Sequence, residues 1–347
     1  MTELSNVDRK ILTRIQEDFP LVIRPFKALG ESLNITENEA LMSIQKMKKL
    51  NMIRQINAIF DTRSMGYQSS LVAAKAESYR IRETAEVINE HPGVTHNYRR
   101  NHEFNLWFTI AVSPESSMDL EKTVDLIGHL SKVESIRVMP TLKLYKIGVT
   151  LDMNSEVNLA KSEQGIYNEA KVNREPLSKE DIRLILELQE DLELTLEPFK
   201  IKAQNLGFSE ERLFKGIKNL VERGKMRRFA AILNHRRAGF MANAMGVWKV
   251  PLEKIDEMGA KMAAFKAVSH CYRRPTYPDW PYPLFSMVHG KNEEECEKIL
   301  KVISEETGLM EYQALYSSTE YKKTRVKYFS PEFEAWEKKY APLPVQN

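Results

Sequence analysis

An α+β chain made of one two-part unit written twice is what this sequence predicts. Three observations carry that expectation. The string LSNVDRKIL from Leu4 returns as LSKEDIRLI from Leu177, an offset of 173 residues. The same offset pairs Gln16-Glu17-Asp18 with Gln189-Glu190-Asp191, Pro25-Phe26-Lys27 with Pro198-Phe199-Lys200, Arg54 with Arg227 and Gly66 with Gly239. After a slip of one residue, His96-Asn97-Tyr98-Arg99-Arg100 meets His270-Cys271-Tyr272-Arg273-Arg274.

The first sixty or so residues of each copy read as three helices and a strand pair. Ser5 and Asp8 form a variant capping box ahead of an apolar stripe at Ile11, Leu12 and Ile15. A second helix fits Pro25–Leu33, and Thr36 caps a third over Glu37–Leu50, with Ala40, Leu41, Ile44 and Met47 inward. Arg54–Tyr67 alternates like a hairpin turning near Asp61-Thr62-Arg63. That order is a winged helix-turn-helix.

The remainder of each copy alternates differently. Ser69–Glu77 reads as a strand, Ile81–Glu90 as a helix ended by His91-Pro92-Gly93, and Val94–Val112 as two strands around Asn101. Met118–Leu130 reads as a second helix and Ile136–Leu151 as a last strand or strand pair. This is the β-α-β-β-α-β, ferredoxin-like plan. The expected domains are therefore winged helix-turn-helix units at 1–67 and 177–240, ferredoxin-like units at 68–153 and 241–330, a linker at 154–176 and a C-terminal tail at 331–347. The linker is polar, weakly periodic and closed by Glu175-Pro176.

Composition narrows the class. At 347 residues, 42% hydrophobic and 29% charged, the chain can bury ordinary cores without low-complexity stretches. The net charge of +3 neither demands nor excludes nucleic acid. Cys271 and Cys296 have no metal-ligand spacing and suit a reducing compartment. No apolar run is long enough to span a bilayer, and the opening MTELSNVDRK has no apolar signal core, so a cytoplasmic protein without membrane contact is expected. Walker and dinucleotide fingerprints are lacking too.

A helix-turn-helix followed by this α+β unit resembles the Lrp/AsnC regulators, in which two such α+β domains pair through their sheets. A duplicated chain could make that pairing internally, as a pseudo-dimer, with further oligomerisation open. A regulator, heme-responsive or otherwise, would read DNA through the third helix with Lys46, Lys48 and Lys49, or around Glu210–Arg223 in copy two. The second of these helices mixes Glu210, Glu211 and Glu222 with Arg212, Lys215, Lys218 and Arg223, a pattern that reads as a solvated face, so DNA binding is not expected.

The sharper signal lies in the strands. Copy one reads HPGVTHNYRRNHEFNLWFTI from His91, and copy two FKAVSHCYRRPTYPDWPYPLFSMVHG from Phe265. Pro278, Pro281 and Pro283 would interrupt a central strand and hold a shaped loop instead. Paired guanidiniums beside aromatic rings suit a flat aromatic ligand carrying carboxylates. Neighbours in a strand face opposite ways, so only one Arg of each pair is expected to enter a pocket.

These strings closely resemble the two related subunits of the siroheme decarboxylases, which use the Lrp/AsnC architecture for tetrapyrrole chemistry, and the chain resembles their fusion. The resemblance implies removal of carbon dioxide from two acetate side chains of siroheme, giving 12,18-didecarboxysiroheme on the way to heme d1 or heme. It implies no cofactor beyond the iron-tetrapyrrole substrate, and heme-like tetrapyrroles as products. His96, His102, His270, Tyr98 and Tyr272 are the catalytic candidates, since the carbanion left by carbon dioxide must be protonated. Arg99, Arg100, Arg273, Arg274, Tyr277, Trp280 and His289 are the substrate-binding candidates, with Trp280 the foremost for stacking on the ring. One histidine could serve instead as an axial ligand to the substrate iron, with no residue singled out. An Arg gripping a departing carboxylate would stabilise the ground state, so the arginines are read as holding carboxylates that remain. His91, His129 and His235 are read as structural. A carrier that binds tetrapyrrole without turnover is the third reading.

Overall fold

The computed structural model describes residues 4–147, 173–233 and 242–341. Within them both helix-turn-helix units form as the capping signals require. Helix α1 (Asn6–Glu17) starts on the Ser5–Asp8 box and α3 (Glu37–Lys49) on a Thr36–Glu39 box, while α2 (Pro25–Leu33) places Pro25 at its first turn. Copy two repeats this with α6 (Lys179–Leu188) on Ser178–Asp181, α7 (Pro198–Leu206) and α8 (Glu210–Glu222). Both sets of helices share one apolar cluster, including Ile11, Phe19, Phe26 and Ile44 with Leu184, Phe199, Ile217 and Phe229.

The expected wing hairpin is not formed. Strand β1 (Ile53–Phe60) ends at Asp61, whose carboxylate accepts from the backbone of Arg63 and Ser64 at 3.1 and 2.9 Å, and residues 61–66 turn without a second strand. Instead β1 pairs antiparallel with β7 (Met226–Leu233), its own counterpart in the other copy. Alternating burial specifies that a strand has one apolar face, and it does not name the partner. His235 and most of the expected linker lie outside the described residues.

The other strands form one sheet in the order β5-β2-β4-β3-β11-β8-β10-β9-β6. They are β2 (Gln68–Lys75), β3 (Val94–Arg100), β4 (Leu106–Val112), β5 (Ser135–Met139), β6 (Lys143–Ile147), β8 (Ala242–Trp248), β9 (Val268–Arg273), β10 (Leu284–Gly290) and β11 (Tyr312–Lys323). The copies exchange their last strands. β11 lies along β8 as far as Tyr316, then along β3 of copy one from Ser317. Its counterpart breaks at Pro140, so β5 stays beside β2 and β6 crosses to β9. Because β5 and β6 are the two ends of the order and adjoin in sequence, the sheet closes into a barrel.

Helices α4 (Ile81–Asn89) and α5 (Leu120–Ser131) cover one half from outside, and α9 (Ile255–Ala264) and α10 (Glu293–Thr307) the other. The interior holds a cluster drawn from both copies: Ala73, Phe104, Trp107, Met139, Met245, Val247, Trp280, Phe285 and Leu315.

Residues 331–347, expected as a tail, hold a further helix, α11 (Glu332–Tyr340), whose Phe333 and Trp336 cover His91 with ring centroids at 5.8 and 4.5 Å. Nδ1 of His91 accepts from the Gly93 amide at 3.1 Å, and burial pushes its pKa down to about 3. In the unfolded chain the ring protonates near its ordinary value of about 6.5. Stability is therefore full above that pH and declines as the pH falls towards 3, by up to about 1.4 kcal/mol per pH unit from this one group. Urea unfolding of wild type and His91→Gln between pH 7 and 4 should differ in slope by that order; parallel slopes would remove His91 as an acid-sensitive contact.

Candidate functional site

Strand alternation sorts the repeated motif into two faces. On β3 and β9 the inward face carries His96, Tyr98 and Arg100, and His270 and Tyr272, with Arg274 one residue beyond β9. The ring centroids of His96 and Tyr98 lie 6.2 Å apart, and those of His270 and Tyr272 5.9 Å apart. The outward face carries Asn97, bonded to Asn89 Oδ1 and Ala85 O of α4 at 3.0 and 3.3 Å, and Cys271, near Gly259 O of α9 at 3.6 Å. Arg99 is exposed on that face, and Arg273 stands near Asp256 and Tyr145. Both were substrate-binding candidates; the pleat turns them away from the histidines.

Counting β5 and β6 as one bent strand, antiparallel neighbours alternate in direction around the barrel. β3 and β9 lie four positions apart, so they run parallel on opposite walls. His96 and His270 consequently share one end of the barrel, and Arg100 and Arg274 the other, four residues or roughly 13 Å further along. The helix-turn-helix pair sits at the histidine end: Ala111, beside the register pair His96–Thr109, belongs to its apolar cluster.

At that end the imidazoles are tied to hydroxyls. Ser269 Oγ lies 2.8 Å from His270 Nδ1 and 2.7 Å from His289 Nε2, bridging the two rings. On the opposite wall His96 Nδ1 lies 3.1 Å from Thr95 Oγ1 and 3.4 Å from Thr109 Oγ1. Burial holds all three imidazoles below the usual histidine range, helped at His96 by Lys323 and at His270 by His289. They are thus neutral near pH 7, and a carboxylate beside them would raise their affinity for protons. Binding of a tetrapyrrole polycarboxylate at pH 7 should accordingly take up protons, measurable with an indicator dye in weak buffer. Equal proton balance in wild type and a His96→Ala/His270→Ala variant would contradict this.

At the far end Arg100 Nη1 donates to Leu315 O at 2.8 Å and Arg274 Nη1 donates to Met139 O. Leu315 and Met139 occupy corresponding places in the exchanged strands. Each guanidinium is more than nine-tenths enclosed, has no carboxylate partner among the described residues, and keeps an Nε without a hydrogen bond. Burial pushes both pKa values down to about 10. Arg274 also lies 4.9 Å from the Tyr272 ring centroid, beneath it as seen from the histidine end. These two arginines therefore support the wall and its exchanged strand rather than line an open surface.

The structure also relocates the aromatic candidates. Trp280 is completely buried among Phe104, Trp107, Tyr282 and Phe285, with its indole N–H donating to Tyr282 O at 3.2 Å. No face is left on which a ligand ring could stack, so Trp280 plugs the barrel. Tyr277 latches the same loop to copy one, donating to Val138 O at 2.6 Å. His102 belongs to this end as well, its Nδ1 accepting from the Phe104 amide at 2.9 Å and its ring 5.2 Å from Trp280. It is not brought together with His96, His270 and His289.

Ser269, Thr95 and Thr109 were not anticipated. The repeated Thr95-His96 and Ser269-His270 pairs were the available signal, since a hydroxyl precedes the histidine in both copies.

A family model described as the AsnC-like ligand binding domain matches residues 64–146 and 237–322. Another, the siroheme decarboxylase NirDL-like HTH domain, matches 8–54 and 181–227. The siroheme decarboxylase of Hydrogenobacter thermophilus is 43% identical over 96% of this chain and 98% of its own. A siroheme decarboxylase beta subunit of Methanosarcina barkeri is 48% identical over 44% of this chain and 99% of its own length. Among solved structures, the siroheme decarboxylase NirDL in co-complex with an iron-uroporphyrin III analogue superposes with a TM-score of 0.78 at 38% identity, covering 96% of this chain and 98% of that one.

Proposed function

This chain belongs to the siroheme decarboxylase family, and from that premise we propose that it is a fused siroheme decarboxylase working at the histidine end of its barrel. It removes the carboxyl groups of two acetate side chains, giving 12,18-didecarboxysiroheme and carbon dioxide. The observation that carries the site is the Ser269 hydroxyl held between His270 and His289 at 2.8 and 2.7 Å, facing His96 across the barrel.

The chemistry needs little else. Breaking the bond between the methylene and the carboxylate releases carbon dioxide and leaves the electron pair on the methylene, delocalised into the macrocycle. One proton then completes each methyl group. No electrons are gained or lost, so the proposal calls for no cofactor beyond the substrate itself. Carboxylates of the bound substrate raise the His270 and His289 affinities for protons, and Ser269 can pass a proton between them to the methylene. His96 faces the macrocycle from the other wall and is our candidate for the substrate iron. Tyr98 and Tyr272 floor the site. Excluding water from this mouth favours loss of the charged carboxylate, whereas the buried Arg100 and Arg274 lie too far along the barrel to clamp it.

Five of the seven basic residues named on the recognition helices already hold a carboxylate, which points away from a regulator. Lys46 pairs with Asp8 at 2.8 Å, Lys48 with Asp191 of the other copy, and in copy two Arg223 pairs with Asp181 at 3.0 Å and Arg212 with Glu180 at 2.6 Å. Phosphate contacts would have to displace these carboxylates. No helix among the described residues is long and apolar enough to cross a membrane. With both cysteines free and buried, we place the protein in the cytoplasm.

Anaerobic incubation of the purified chain with siroheme should give a product lighter by two carbon dioxides in mass spectrometry. An unchanged mass, under conditions in which a relative turns over, would overturn the assignment.

A further inference from the structure

The two walls of the barrel mouth share a fold and differ in charge. On the His96 wall, β11 ends with Lys323 opposite His96, Thr324 N donates to Thr95 O at 2.7 Å, and Arg325 follows. From the helix-turn-helix side the β1–β7 pair brings Arg54 and Arg228. Arg54, Arg325 and Lys323 all act electrostatically on the His96 imidazole, and Arg325 feels both Arg54 and Arg228. Glu320 acts on His96 in the opposite sense. All four cations are exposed, and none forms an ion pair among the described residues. Elsewhere on the β1–β7 pair Arg227 is matched by a carboxylate, that of Asp61.

The repeat shows that this clustering is one-sided. Arg54 corresponds to Arg227, which has Asp61 beside it, whereas Asn234 occupies the place in copy two that Asp61 holds in copy one. Arg228 corresponds to Gln55. Lys323 and Arg325 correspond to Ile147 and Val149, by the match of Tyr321-Lys322 with Tyr145-Lys146. Every one of the four cations is thus neutral or neutralised at its counterpart. Like charges held together with no ion pair among the described residues repel, so the cluster costs stability unless an anion occupies it.

We propose that Arg54, Arg228, Arg325 and Lys323 form a carboxylate-binding rim that grips the peripheral acid groups of the tetrapyrrole on the His96 wall alone, fixing a single orientation of the substrate in the mouth. This rests on the decarboxylase reading and adds to it the residues that set orientation. Guanidinium forks bind carboxylates in pairs of hydrogen bonds. The rim holds carboxylates that remain on the product, so it acts on binding far more than on the chemical step.

The test compares wild type with an Arg54→Gln/Arg228→Gln/Arg325→Gln variant, by siroheme turnover and by equilibrium siroheme titration. A Lys261→Gln/Lys298→Gln/Lys301→Gln variant, on the outer helices, controls for the same change in net charge. The rim variant should raise KM and Kd by roughly tenfold or more with kcat within about threefold, and should flatten their dependence on salt. The control should match wild type, and an Arg→Lys version of the rim should recover part of the affinity. An active wild type whose rim variant keeps the same KM, Kd and salt dependence would overturn the rim while leaving the decarboxylase reading intact. So would loss of salt-sensitive binding to duplex DNA by the rim variant with siroheme binding unchanged. If wild type binds siroheme without turnover, the function falls, and the Kd comparison still decides the rim.

Discussion

Replacing His270 with alanine should lower kcat for siroheme decarboxylation by about 10²–10⁴-fold, the usual contribution of a positioned proton donor, with siroheme affinity close to wild type. His270 presents one ring nitrogen to Ser269 and leaves the other for the barrel mouth. Its proton must be replaced between the two decarboxylations, and the Ser269 bridge to His289 offers the route. Ser269→Ala and His289→Ala should therefore each reduce kcat by less than His270→Ala, and the Ser269→Ala/His289→Ala double variant should be no worse than the stronger single one, because both interrupt one chain. A purely structural role for Ser269 would show as lost thermal stability with an unchanged pH profile. If His270→Ala retains wild-type kcat, proton delivery lies elsewhere in the mouth.

Trp280→Ala should be among the most destabilising single changes, by about 3–5 kcal/mol, the range for deleting a fully buried large aromatic. The indole is completely enclosed and touches Phe104 and Trp107 of copy one, so its removal opens a cavity between the halves. For a chain of this size that corresponds to a melting temperature lower by roughly 4–7 °C. Trp280→Phe should recover part of the loss. The fraction that remains folded should bind siroheme normally, since no face of the indole is open to a ligand. A stable variant with lost tetrapyrrole binding would restore the stacking role first expected of this residue.

Much of this architecture can be read from local signals. The capping boxes at Ser5 and Ser178 and the prolines opening α2 and α7 mark the helices to within a residue or two, and the 173-residue repeat doubles each observation. Partner choice is a different matter. The apolar alternation of β1 is satisfied equally by a hairpin and by β7, and nothing local distinguishes the two. The exchange of β6 and the second half of β11 depends on where each strand bends, at Pro140 in one copy and with no break in the other.

The candidate site divides in the same way. Strand periodicity states that Arg99 and Arg100 face apart, and only the helices outside the barrel decide which of them goes in. Asn97 and Cys271 pack against α4 and α9, and that fixes His96, Tyr98, His270 and Tyr272 inward. An exposed aromatic platform and a buried plug have the same composition, so Trp280 was misread for want of burial. The cations of the His96 wall are spread over Arg54, Arg228 and Lys323 to Arg325, and only the fold assembles them.

Iron in the substrate allows the location of the site to be measured directly. In crystals of the chain grown anaerobically with siroheme, the anomalous iron peak should lie in the barrel mouth between the His96 and His270 walls, one per chain. A peak at the Arg100–Arg274 end, or among the helices of the helix-turn-helix units, would contradict this account.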